Sequence, residues 1–307
     1  MCIRDRVSRA YVGSDAFQEA DATGITRPIT KHNFLIDTRE SIPSVFKKAF
    51  MIATTGRPGP VLIDVPKDLT DPKIKIPFEY PKKIKLRSYK PVAKDNKEKI
   101  NKAAELICDA SKPMIYTGGG VILGKAHNQL QALVKKLGYP ITNTLMGLGG
   151  YPGSHENFLG MLGMHGTYEA NMAMHECDVL LAIGARFDDR VTGDTSKFCP
   201  SAKIIHIDND SSEIGHNRDV ELGIVGDAKS ILSQLNSEVE RRVSDFAGRL
   251  ESQWISHLRD TEDQRATQNQ ANLNSGTRPI PPLRLCKEIR EFLDRDAILC
   301  DDGNEIK

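Results

Sequence analysis

Between residues 95 and 260, short apolar runs alternate with stretches of helical periodicity, and most of the runs end at glycine. The runs are Pro113-Met-Ile-Tyr-Thr117, Tyr139-Pro-Ile-Thr-Asn143, Asp178-Val-Leu-Leu-Ala-Ile183, Lys203-Ile-Ile-His-Ile-Asp208 and Leu222-Gly-Ile-Val225. Each is short, rich in β-compatible residues and apolar on both faces, as a strand covered on both sides of a parallel sheet must be. Helical patterns over 95–110, 127–137, 162–174 and 228–241 fall between them. Strands that alternate with helices predict an α/β fold, a doubly wound, Rossmann-like parallel sheet.

The stretch 178–193 is the most informative within that frame, because a buried strand cannot explain its second half. Gly184 lets the backbone turn, and Arg186, Asp188, Asp189 and Arg190 follow at the carboxyl end of the strand. Open α/β sheets bind their ligands at that edge. A surface loop whose charges pair with one another is an equally good reading of this stretch taken alone.

The flanks carry less pattern. Ser41 predicts a helix cap, with Pro43 in the first turn and an apolar stripe from Val45 to Ala53 ending at Gly56. A strand is expected at 61–65, then a Lys- and Pro-rich solvated linker over 72–94. Residues 261–282 are polar and rich in Gln, Asn and Pro and read as a second linker. A helix over 283–293 and a strand over 297–300 would open a third unit. Met1 to Arg6 fits no neighbouring element and reads as foreign sequence joined to a fragment, and both ends look cut.

With 42 basic and 41 acidic residues the net charge is +1, which gives no field to hold nucleic acid or an anionic membrane. No run approaches the ~20 apolar residues of a membrane span. The six cysteines are scattered and read as reduced packing residues.

Gly118-Gly119-Gly120 after a strand permits close backbone approach to a phosphate, although a tight turn is the commoner reason for such a run. The weight comes from accumulation, since Gly163 to Gly166, Gly184-Ala185-Arg186 and Gly226-Asp227 fall at the same edge of one sheet. Asp208 is placed to accept a ribose or ribityl hydroxyl, or else to cap a turn before Ser211. Arg186 and Arg57 are natural partners for a pyrophosphate. Flavin and nicotinamide dinucleotides are equally compatible. His165 has no acid, Cys or His at ligand spacing, so a metal site is not expected there. His206 and His216 read as structural, and no activated nucleophile is visible.

Longer motifs narrow this. Gly13-Ser-Asp-Ala-Phe-Gln-Glu19, Ile25-Thr-Arg-Pro-Ile-Thr-Lys-His-Asn33, Gly56-Arg-Pro-Gly-Pro-Val-Leu-Ile-Asp-Val-Pro-Lys-Asp68, Thr144-Leu-Met-Gly-Leu-Gly149, Leu162-Gly-Met-His-Gly-Thr167 and Ala185-Arg-Phe-Asp-Asp-Arg-Val-Thr-Gly193 stand in this order. Together they closely resemble the catalytic subunit of the acetolactate synthase (acetohydroxyacid synthase) family of thiamine-diphosphate enzymes.

The resemblance implies the end of a pyrimidine-binding domain over 1–71, a linker over 72–94 and an FAD-binding central domain over 95–260. It further implies a linker over 261–282 and the start of a pyrophosphate-binding domain over 283–307. In the family the flavin is structural. Thiamine diphosphate and Mg2+ motifs would lie mostly outside this chain, the activating Glu upstream and the Gly-Asp-Gly motif beyond Lys307.

Carried over by motif, Gln18 would be the cofactor-side glutamine, Phe17 and Lys67 would line the active-site rim, Met164 and Asp189 the substrate channel, and Arg190 would grip the carboxylate of the second 2-oxo acid. Arg57, Gly118, Gly119, Gly120, Thr144, Leu145, Gly163, Met164, His165, Gly166, Gly184, Ala185, Arg186, Asp188, Asp208, Asn209, Gly226 and Asp227 would contact the flavin. The implied activity is decarboxylation of pyruvate and condensation with pyruvate or 2-oxobutyrate, in branched-chain amino-acid synthesis. A cytoplasmic homodimer or homotetramer, with a possible regulatory small subunit, is the implied assembly.

A departure lies at Asp301-Asp-Gly-Asn-Glu-Ile306, where the family usually reads Asp-Val-Gly-Gln-His-Gln. The alternatives are a sister carboligase acting on glyoxylate or sulfoacetaldehyde, or a dinucleotide-binding module without catalysis.

Overall fold

The computed structural model describes residues 2–75, 78–91, 97–242 and 253–300. The chain forms two compact units, residues 1–94 and 95–307.

In the first unit, β1 (Cys2–Arg6), α1 (Ala22–Thr26), β2 (His32–Leu35), α2 (Ile42–Thr54) and β3 (Val61–Pro66) build a parallel sheet of order β1-β3-β2. β3 is buried along its whole length, as its unbroken apolar run requires. Cys2 to Arg6 was expected to fit no element, yet it pairs in parallel with Leu62 to Pro66 as an edge strand. Ser41 precedes α2 but does not cap it; its hydroxyl donates to Thr38 O at 2.7 Å instead.

The expected solvated linker is partly docked. Leu86 and Tyr89 pack on the core of this unit, and the Lys31 ammonium donates to Ile52 O (2.6 Å), Thr55 O (2.8 Å) and the Tyr89 hydroxyl (3.2 Å). Those carbonyls end α2, where a cation is favoured.

The second unit holds α3 (Lys97–Cys108), β4 (Pro113–Thr117), α4 (Gly119–Leu123), α5 (His127–Leu137), β5 (Ile141–Asn143), β6 (Phe158–Met161), α6 (Tyr168–Glu176) and β7 (Val179–Ile183). It continues with α7 (Asp189–Thr192), β8 (Lys203–Asp208), β9 (Leu222–Val225), α8 (Ala228–Arg242), α9 (Gln253–Leu273) and α10 (Pro282–Phe292). All pairings in its sheet are parallel, in the order β6-β5-β4-β7-β8-β9.

Alternate residues of the central strands feed two separate cores. Ile115, Leu181, Ile183, Ile205 and Ile207 pack with α3, α5 and α8. Met114, Tyr116, Leu180, Ala182 and Ile204 pack with α6 and with Trp254 and Leu258 of α9. Helices thus cover both faces, which is the doubly wound architecture expected.

Two expectations for the carboxyl-terminal part change, at 261–273 and at 297–300. The stretch from Thr261 is helical through Leu273 rather than irregular. It holds good helix formers and no Gly or Pro before Gly276, and Trp254 anchors the helix by burial and by donating from Nε1 to Pro113 O at 3.1 Å. α10 buries none of its side chains and belongs to the same compact unit as the sheet. Residues 297–300 form no strand, and 301–307 lie outside the described residues.

A candidate dinucleotide cleft at the strand reversal

Counted from β4, the strand order of the second unit is 3-2-1-4-5-6, so the chain reverses direction across the sheet between β4 and β7. Open α/β sheets hold dinucleotides at such a reversal, at the carboxyl ends of the two strands.

The glycines at this edge are used first by the protein itself. Gly118 N–H donates to Ile183 O (3.0 Å) and Gly120 N–H to Gly184 O (3.1 Å). A Cβ on Gly118 would lie 2.2 Å from Gly184 O, and one on Gly120 would lie 2.6 Å from Gly184 Cα. A third loop closes in at Gly147, where a Cβ would meet Thr117 O at 2.6 Å. Thr144 shapes that loop by accepting from Gly147 N–H at 3.0 Å.

The loop after β7 is fixed at successive residues. Ala185 O accepts from His206 Nε2 at 2.8 Å, which leaves the buried Nδ1 without a partner; burial lowers the His206 pKa. Phe187 is 2% exposed and sits at φ +54°, a left-handed conformation that aromatic residues rarely adopt. Its ring packs against Tyr116 (5.5 Å between centroids), His206 (5.1 Å) and Phe198 (6.1 Å).

Asp188 then caps α7, accepting from Arg190 N–H at 3.1 Å, and its other oxygen takes Arg186 Nε at 3.3 Å. Arg190 lies 3.9 Å from Asp189, and both side chains are exposed. The charges of this stretch therefore do pair with one another. Exposed pairs of this kind contribute only about 0–1 kcal/mol, so an anion can displace them.

The loop 162–167 grips α7 from the other side. Met164 N–H donates to Arg190 O at 2.9 Å, and a Cβ on Gly163 (φ +98°) would lie 2.7 Å from that same oxygen. Asn171 holds Gly163 from both sides, its Oδ1 accepting from Gly163 N–H (3.0 Å) and its Nδ2 donating to Gly163 O (3.1 Å). Nothing in the sequence reading pointed to Asn171. A Cβ on Gly166 would lie 2.4 Å from Met161 O, while His165 and the Met164 side chain are exposed.

On the far side of β7, Gly226 N–H donates to Asp208 O (2.8 Å). Asp208 Oδ1 accepts from Asp210 N–H at 2.8 Å, the turn-closing role, and its neighbour Asn209 is half-buried. Asp227 caps α8 by accepting from Ser230 N–H at 2.9 Å.

The residues present fit an extended, anionic dinucleotide. Thr117 gives its hydroxyl to Asn143 Oδ1, which leaves the buried Asn143 Nδ2 as an unpartnered donor at the end of β5. Leu145, Met146, Ile122 and Leu123 expose an apolar lip beside it, and Arg186 supplies an exposed cation.

Phe17, Gln18, Arg57 and Lys67 belong to the first unit. Phe17 is 90% exposed and Gln18 has φ +62°, both on a loop closed by Glu19, which accepts from Gly13 N–H (2.6 Å) and Ala16 N–H (3.2 Å). Those backbone donors, Gly13 first, hold the Glu19 carboxyl below the usual glutamate range. Lys67 opens a turn at the carboxyl end of β3, and Asp68 beside it accepts from Arg9 N–H at 2.9 Å and Arg9 Nε at 2.7 Å. Arg57 is exposed just beyond α2.

Comparison with known proteins agrees with this geometry. Residues 100–235 match the central domain of thiamine pyrophosphate enzymes. The acetolactate synthase large subunit of Haemophilus influenzae is 49% identical over 256 residues, 82% of this chain and 44% of that protein. The chain is a homologue of acetolactate synthase large subunits. The isozyme 3 large subunit of Escherichia coli K12 is 47% identical over 230 residues, covering 75% of this chain and 40% of that protein. Acetolactate synthase of Mycobacterium leprae is 48% identical over 259 residues, covering 84% and 41%. The resemblance read from the motifs therefore extends over most of the chain, which spans 40–44% of the length of these acetolactate synthase relatives.

Proposed function

We propose that this chain forms part of an acetolactate synthase large subunit, in which its second unit holds FAD and presents Arg190 to the substrate. The observation that carries this reading is the 47–49% identity to acetolactate synthase chains across 75–84% of the residues. Bound FAD would supply a rigid, mainly structural ligand for the cleft.

Arg186 would pair with its pyrophosphate, the Asn143 amide and Thr144 would meet polar atoms, and Leu145 would cover an apolar ring. The 118–120 and 184–185 turns would form the floor, with Gly163 to Gly166, Asp208-Asn209 and Gly226-Asp227 at the sides. By the family resemblance alone, Arg57 would be a flavin contact, Gln18 a cofactor-side residue, and Phe17 and Lys67 residues of the active-site rim; all four belong to the first unit. A planar guanidinium at Arg190 would take a 2-oxo acid carboxylate bidentately, oriented by Asp189 and with Met164 beside it.

Thiamine diphosphate and Mg2+ belong to the proposed enzyme, but the described residues contain no group of three or more His, Cys, Asp or Glu able to hold a metal ion. Assembly as a homodimer or homotetramer, with a regulatory small subunit and a cytoplasmic location, follows from the same proposal; no helix among the described residues is long and apolar enough to cross a membrane.

The test is expression of the full reading frame and assay of acetolactate from pyruvate with thiamine diphosphate and Mg2+ added. Product is expected, and addition of 2-oxobutyrate should yield the mixed product. A folded, flavin-loaded protein that makes neither would overturn the assignment.

A further inference from the structure

Among the three residues between Arg186 and Arg190, Phe187 has no role in the proposed function. Phe187 lies between the two arms, is buried, and is held at φ +54°. A left-handed aromatic residue costs about 1–2 kcal/mol and persists only where its surroundings over-determine it. Tyr116, His206 and Phe198 do so from β4, from β8 and from the loop preceding β8. Glycine would satisfy the backbone at no such cost, so the ring itself is what the position retains.

The left-handed turn at Phe187 lies between the end of β7 and the start of α7. Arg186 is left exposed on one side and Asp188 is brought to cap α7 on the other. The anchored ring thus sits at the turn from which both arginines depart.

We propose that Phe187 is a positioning residue: its ring, seated among Tyr116, Phe198 and His206, locks the left-handed turn that fixes Arg186 toward the dinucleotide cleft and Arg190 at the start of α7. The cofactor half of this inference rests on the proposed FAD site; the loop-locking half does not.

The test compares the 307-residue chain with its Phe187→Leu, Phe187→Gly, Arg186→Ala and Phe187→Leu/Arg186→Ala variants, reading amide hydrogen exchange over 184–192 and affinity for added FAD. With the ring removed, the Arg190 amide that Asp188 caps is expected to exchange roughly tenfold faster, while the β4 and β7 amides keep their protection. FAD affinity is expected to fall roughly tenfold in Phe187→Leu. It should fall no further in the double variant than in Arg186→Ala, since two residues that act as one do not add. Phe187→Gly should be as loose as Phe187→Leu although it removes the backbone penalty.

Unchanged loop exchange in both Phe187 variants, or tight exchange restored by glycine, overturns the proposal, as does an additive loss of FAD affinity in the double variant. If the unaltered chain binds no FAD, the flavin reading fails while the exchange measurement still decides the locking role. Should Phe187→Leu fail to fold, Phe198→Leu, which removes one wall of the seat, is read in the same way.

Discussion

Gly118 and Gly184 meet backbone to backbone across the point where the sheet reverses, so closely that a methyl group on the first would lie 2.2 Å from the carbonyl oxygen of the second. Neither loop can move aside, because Gly184 N–H is bound to Ile207 O (2.8 Å) and Gly118 N–H to Ile183 O (3.0 Å). Gly118→Ala is therefore expected to destabilise the second unit by about 1–3 kcal/mol, the usual cost of overpacking. Gly184→Ala should cost more, since its φ of +59° adds a left-handed penalty to the clash. Urea unfolding of the two variants beside Gly149→Ala measures this. Gly149 has φ +85° but open space around it, so that variant isolates the conformational part.

Trp254 secures a helix that is otherwise almost wholly exposed. It is 4% exposed, bonded to Pro113 O and packed on the core shared with α6. Trp254→Ala should cost about 3–5 kcal/mol, as for other buried aromatic truncations. Trypsin should then cut at Arg259 and Arg265 under conditions that leave the unaltered chain whole. Equal cleavage in both would show that α9 is not held by this residue.

His206 ties the same loop to pH. Its folded pKa is depressed, chiefly by burial, below the ordinary 6.5, so the unfolded chain binds a proton at a pH where the folded one does not. The sign follows: stability is full above about 6.5 and falls as pH drops from there toward the folded value. Thermal unfolding between pH 7.5 and 5 should show this slope, and His206→Gln should flatten it. A slope that survives the substitution assigns it to other groups.

How far these features could be read in advance depended on whether they are local. The extents of β4, β8 and β9 and of α5 matched expectation, because each is set by its own periodicity and, for α5, by Gly138 in the left-handed cap position. β6 escaped notice because it is a short edge strand containing a glycine. The docked segment around Tyr89 escaped because its partner Lys31 is 58 residues away. At the cleft, the glycine turns and the charged loop were legible as a pattern. What fixes them was not: His206 holding Ala185 and the seat of Phe187 are contacts between separated segments, and Asn171, although near Gly163 in sequence, holds it by reaching back from within α6 over the turn at 163–166. No residue type by itself announces such contacts.

The two arginines of the charged loop have separable roles under the proposed function. Arg186 follows the turn after β7, its guanidinium 3.3 Å from Asp188 and its carbonyl accepting from Asn217 Nδ2 at 3.0 Å. Arg190 is four residues on, in the first turn of α7, with its backbone held by Asp188 and Met164 and its guanidinium 3.9 Å from Asp189. Arg190→Ala in the full-length enzyme should remove a charge-assisted contact worth roughly 1.5–3 kcal/mol, a loss of about one to two powers of ten in use of the second 2-oxo acid. Its flavin content should stay unchanged, because Asp188 still caps α7 through a backbone amide that alanine retains. Arg186→Ala should instead lower flavin occupancy first and leave the choice between pyruvate and 2-oxobutyrate as it was. Flavin absorbance and product partition, measured on both variants, separate the roles; flavin lost from Arg190→Ala with acceptor preference intact would reverse them.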